Sequence, residues 1–83
     1  MGTVHRNGTP PKHMPHKRIK EFERGVFDEE FIVHWCREHL KGPMQYRVVE
    51  FQPERIGIGR SYEVTAWFKN HDDAEAFENQ WQI

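Results

Sequence analysis

A chain of 83 residues has room for one small domain, and a domain of that size buries only ~60% of its unfolded surface, which leaves little space for an internal active-site cavity. A single cysteine, Cys36, excludes an intramolecular disulfide, and no apolar run approaches the ~18 residues that span a bilayer, so a cytoplasmic protein with no membrane partner is expected. The net charge of −1 hides an asymmetry: residues 1–24 carry six Lys/Arg against two acids, and residues 25–83 carry six against eleven.

In chain order, residues 1–16 hold three prolines and two glycines with no hydrophobic period, and read as a disordered or extended basic arm ahead of a single domain over 17–83. Arg6, Lys12, Lys17, Arg18 and Lys20 supply its charge and that of its junction with the domain. Because the arm offers little apolar area, its removal is expected to leave folding intact. KRIKEFER, 17–24, fits a short helix or a strand, and the strand is preferred because a lone hairpin needs a third partner.

Residues 28–40 show the clearest helical period. Asp28 is a candidate N-cap, Phe27 and Ile32 have the spacing of a hydrophobic staple, and Glu29 and Glu30 suit the positive end of the dipole. Phe31, Ile32, Val33, Trp35, Cys36 and Leu40 fill an apolar arc, and Gly42-Pro43 ends the helix. Trp35 is expected to anchor the core, facing the hairpin. QYRVVEFQ, 45–52, and SYEVTAWFK, 61–69, read as strands joined through the turn residues 53–60. A last helix over 71–82 places Ala74, Phe77 and Trp81 in one stripe, with Asn70 as cap and Asp73 completing a variant capping box. The expected fold is α+β: a small antiparallel sheet with two helices on one face, in the order βαββα, a ferredoxin-like order lacking its last strand, or αββα if 17–24 is not a strand.

HWCREH, 34–39, packs two histidines and a cysteine into six residues. On a helix Cys36 and His39 are neighbours at i, i+3, while His34 points roughly 140° away from His39. Two converging groups fall short of the four ligands of a structural zinc site. A reactive cysteine needs partial exposure and a positive setting, whereas Cys36 lies on the apolar arc, where a small buried hydrophobe is expected; His39, in the middle of that arc, is either hydrogen-bonded under the sheet edge, a satisfied core histidine being the default, or marks where that face opens. Ser61 lacks a nucleophile elbow, and IGIG, 56–59, lacks the third glycine and the helix of a dinucleotide site. No cofactor, metal or catalytic residue is expected, and no enzymatic activity.

The second face of the hairpin carries the remaining signal. With Tyr62, Val64, Ala66 and Phe68 turned to the helices, Trp67, Thr65 and Lys69 turn outward beside Arg47, Val49 and Phe51. Trp67, Lys69, Arg47, Phe51 and Thr65 thus form a candidate binding surface on a bare sheet face. Such surfaces suit protein partners, and they also suit single-stranded nucleic acid, whose bases stack on aromatic rings.

The element order resembles the ferredoxin-like and RNA-recognition folds, without the aromatic-glycine strand motif that carries RNA contacts in the latter. Residues 62–81, YEVTAWFKNHDDAEAFENQW, are similar to the ending of small uncharacterised proteins of tailed phages, particularly cyanophages. That resemblance implies an accessory protein acting in a host cytoplasm and assigns no activity. The leading expectation is a non-enzymatic binding module acting through a protein–protein interface, self-association included; the alternative is a nucleic-acid-binding accessory protein that uses the basic arm and the aromatic sheet face.

Overall fold

Strand alternation in three segments of eight residues builds most of the molecule: β2 (His16–Glu23), β3 (Met44–Phe51) and β4 (Ser61–Phe68), preceded by a short β1 (Val4–Arg6). Helix α1 (Glu29–His39) follows β2, and α2 (His71–Trp81) follows β4. This computed structural model describes residues 4–6, 13–52 and 60–83; the turn expected around Gly57 and Gly59, and Lys12 of the arm, lie outside the described residues.

The sheet order is β1-β3-β4-β2. β4 runs antiparallel to both β3 and β2, so β2 and β3 are parallel with β4 between them. The β2-α1-β3 crossover therefore makes a split β-α-β unit, the ferredoxin-like order without a strand after α2. KRIKEFER is a strand, which sets aside the αββα alternative.

β1 corrects two expectations. Val4–Arg6 is a strand inside what reads as a basic arm, and it pairs parallel to β3, Val4 against Met44 and Arg6 against Tyr46. The sheet is accordingly mixed rather than antiparallel. Its physical cause is the outer edge of β3, whose backbone groups need partners. Val4 packs on the core, and Arg6 places Nη1 3.5 Å from Glu29 Oε2 of α1. Tyr46 donates its hydroxyl proton to the same Glu29 oxygen at 2.7 Å. Burial first, then this bond, pushes the Tyr46 phenol up to about 12. Tyr46→Phe should cost ~1–2 kcal/mol in chemical denaturation, since it removes one charge-assisted hydrogen bond from a half-buried carboxylate. Deleting residues 1–16 removes β1 as well, so it should lower the melting temperature instead of leaving it unchanged.

Both helices cover one face. Phe22, Met44, Tyr46, Val64, Ala66 and Phe68 point to it from three strands and pack with Ile32, Cys36 and Leu40 of the α1 segment and Ala74 and Phe77 of α2. Asp28 caps α1 as expected, its Oδ1 accepting the Phe31 amide at 3.1 Å. Phe27 stacks on Tyr62 with ring centroids 4.5 Å apart. Phe31, placed in the apolar arc by its period, is 52% exposed, because the helix is rolled to bury Ile32 and Cys36.

Trp35 and His39 also differ from expectation. Trp35 is half-buried and turns toward α2, meeting Trp81 edge-on at 5.0 Å. His39 is exposed, stacks on Trp35 at 4.6 Å and uses Nδ1 to bond the Trp35 carbonyl at 2.9 Å. The pair closes the gap between the helices rather than the floor over the hairpin. Trp35→Ala should therefore cost ~2 kcal/mol, below the ~3–5 kcal/mol of a fully buried indole.

The start of α2 departs from the capping box. Asn70 is the N-cap, yet its side chain makes no capping bond. Asp73 is buried and reaches across to the α1–β3 connection, where Oδ1 accepts the Lys41 amide at 3.0 Å and Oδ2 the Gly42 amide at 2.9 Å. Gly42 permits a close approach there: a Cβ would displace the Asn70 amide and sit 3.3 Å from Asp73 Oδ2.

Candidate binding surface

β3 and β4 bring the outward-facing residues together in the expected register: Gln45 pairs with Trp67, Arg47 with Thr65, Val49 with Glu63 and Phe51 with Ser61. β2 adds Lys17 beside Trp67 and Ile19 beside Thr65. The chemistry of that face is different from expectation. Trp67 is 5% exposed and Thr65 2%, so neither can meet a partner. The Arg47 guanidinium lies 5.7 Å from the Trp67 ring centre, within cation–π range. Its buried Nε has no hydrogen-bond partner among the described residues. Phe51 is half-buried at the end of β3, and Lys69 is exposed just beyond β4. The five residues therefore separate into a shielded pair, two partly covered neighbours and one exposed lysine.

The basic residues are dispersed too. Arg6 lies against Glu29. Arg18 is turned to the helices, its Nε 3.3 Å from Glu78 Oε1, a charge contact without hydrogen-bond alignment. Lys17 and Lys20 belong to β2. Arg60, just before β4, donates to Glu50 at 2.9 Å. A strip of phosphate-binding cations is not what these positions make.

What the fold leaves open is the outer edge of β2. It is an edge strand eight residues long, and no strand covers its far side among the described residues. Alternation turns His16, Arg18, Lys20 and Phe22 toward the helices and leaves Lys17, Ile19, Glu21 and Glu23 exposed on the other face. Ile19, 43% exposed, is an apolar residue between charges of opposite sign. Beside the edge runs a shallow, open groove of about 340 Å³, lined by Lys20, Phe22, Val26 and Trp81 among others. The sequence signal for this edge was present in 17–23, where bases at one end and acids at the other flank Ile19; the basic-arm reading, which assigned Lys17, Arg18 and Lys20 elsewhere, obscured it.

HWCREH resolves into three separate environments. Cys36 is fully buried, while His34 is exposed with Nε2 3.3 Å from Glu38. Burial, with a smaller push from the Asp73 carboxylate, raises the Cys36 thiol from 9.0 to about 12. It stays a neutral thiol at physiological pH and is expected to react slowly with thiol reagents. The folded pKa lies above the unfolded one, so this group's contribution is fully present below pH 9 and is lost between 9 and about 12 as the unfolded chain releases its proton first. Urea midpoints should fall through that window less steeply in Cys36→Ala than in the parent chain. A separate exposed group, His71, Asp72 and Glu75, stands at the start of α2 with the His16 ring 5.3 Å from that of His71; dipole and local pairing account for its carboxylates.

No protein-family model, no curated protein and no solved structure matches the chain. Within the described residues, no helix is long and apolar enough to cross a membrane.

Proposed function

We propose that the chain is a small non-enzymatic binding module that joins a protein partner along the outer edge of β2. The observation that carries this reading is the edge itself: an eight-residue strand at the rim of the sheet, with Lys17, Ile19, Glu21 and Glu23 exposed beside the Val26–Trp81 groove. Unpaired strand amides and carbonyls recruit an added strand, and alternate side chains select it. The shielding of Trp67 and the internal pairing of Arg6, Arg18 and Arg60 favour a protein over a nucleic acid, which needs open aromatic faces and free cations. The buried, protonated Cys36 favours a structural role for that thiol over a catalytic one.

The test is affinity capture from lysate with the intact chain and with Ile19→Lys, each with and without nuclease. A partner retained through nuclease and lost with Ile19→Lys is the expected result. A partner released by nuclease would return the reading to nucleic acid, and equal capture by both chains would remove β2 from the interface.

A further inference from the structure

We infer that the partner accepted by the β2 edge is a second copy of the same chain, paired antiparallel about a two-fold axis through Ile19. The inference rests on the reading of β2 as the binding edge and goes on to name its occupant and register.

Charge and face together select the register. A two-fold axis perpendicular to the sheet keeps the helices of both copies on the same side. Each residue of β2 must then meet a residue that points to the same face, so only registers in which both members of a pair are odd-numbered or both even-numbered are allowed. Centring on Ile19 sets Lys17 of one copy against Glu21 of the other, twice by symmetry, with the two exposed Ile19 side chains in contact between them. Opposite charges directly across a ladder stabilise it and like charges destabilise it. On the helix side the same register brings Phe22 against His16, and Arg18 against Lys20. The Arg18 charge is already met by Glu78 of its own α2, so this like-charge contact is muted.

The neighbouring registers are worse. Centring on Lys20 sets two lysines against each other and Ile19 against Glu21. Centring on Arg18 sets two arginines together, and centring on Glu21 does the same with two glutamates. Of these four centres, Ile19 alone joins two apolar side chains and two opposite-charge pairs on the exposed face; the Lys20 centre keeps Lys17 opposite Glu23 but faces Ile19 with Glu21. The pairing isologously extends the sheet across both copies and covers the β2 edge of each.

Sedimentation velocity of the full chain, over a wide range of concentration, tests the register with a charge swap. The parent chain should show a concentration-dependent dimer. K17E sets two glutamates against each other at both symmetric pairs, and E21K sets two lysines there, so each alone should weaken self-association by about tenfold. An equal mixture of K17E and E21K should restore association as a heterodimer: K17E supplies acids at both positions and E21K supplies lysines at both, so both 17–21 pairs are opposite in sign. The K17E/E21K double variant should restore the dimer as a homodimer. A parent chain that stays monomeric throughout overturns the second copy as occupant. Loss of partner capture by Ile19→Lys in that case would still uphold β2 as a binding edge. If E21K leaves the dimer unchanged and E23K dissociates it, the register is centred on Lys20 and the present one is wrong.

Discussion

Asp73→Ala is expected to bring the chain close to its unfolding midpoint at room temperature. Asp73 is 3% exposed, and each of its oxygens accepts one backbone amide, from Lys41 and from Gly42. Those two amides lie just past the end of α1, in the connection to β3, and the Asp73 carboxylate is the acceptor that each of them uses. Removing the carboxylate strands two donors in a part-buried setting at ~1–3 kcal/mol each, and also unties the start of α2 from the end of α1. A total of ~3–5 kcal/mol approaches the ~5 kcal/mol that a domain of this size has to lose. Asp73→Asn keeps one acceptor oxygen and offers an amide group where the second stood, so it should fall between the two. Gly42→Ala attacks the same joint from the other side, forcing Asn70 away from its position over the glycine. Chemical denaturation followed by circular dichroism ranks the three variants. An Asp73→Ala chain that melts with the parent would show that the bridge contributes nothing to stability.

That bridge also shows which features the sequence discloses. Periodicity disclosed the elements, since a hydrophobic face must repeat with the backbone: β3, β4, α1 and α2 lie close to where their apolar spacing predicts them. It disclosed Cys36 as a buried thiol for the same reason. The role of Asp73 was concealed, because local capping is a sufficient explanation for an acid at a helix start. One sign was available: Asp73 precedes Phe77 by four residues and so lies on the buried stripe, where a carboxylate must find distant donors. β1 was concealed differently. Three residues, Val-His-Arg, carry too little pattern to announce a strand, and what orders them is the edge of β3 and the Glu29 carboxylate, both more than twenty residues away in sequence. The helix phase of α1 was off by a fraction of a turn for a related cause. Phe31, Ile32, Val33 and Trp35 make a broad arc, and only the position of α2, with Trp81 waiting for Trp35, decides which part of it faces inward.

The same distinction reverses the expectation for Trp67. A residue on the face away from the helices should tolerate truncation, and Trp67→Ala should then be nearly silent in stability. At 5% exposure the indole is instead a packed group, flanked in register by Gln45 and Lys17 and overlaid by Arg47. Truncation removes the contacts of the largest side chain on that face and leaves a void between strands, at ~3–5 kcal/mol. Arg47→Ala should cost less, about 0.5–1 kcal/mol for the cation–π contact together with the packing of its stem. Placing the reporter is straightforward, because Trp35 and Trp81 are only half-buried and can be replaced by Phe, which leaves Trp67 as the single indole. Its emission should lie to the blue and respond weakly to acrylamide in the folded state, then shift red and become quenchable across the denaturation midpoint. Strong quenching of the folded protein, with Trp67→Ala melting at the parent temperature, would place the indole in solvent and return this face to the candidates for partner binding. Weak quenching with a large loss of stability makes Trp67 part of the support beneath the sheet, and leaves the edge of β2 as the proposed binding surface.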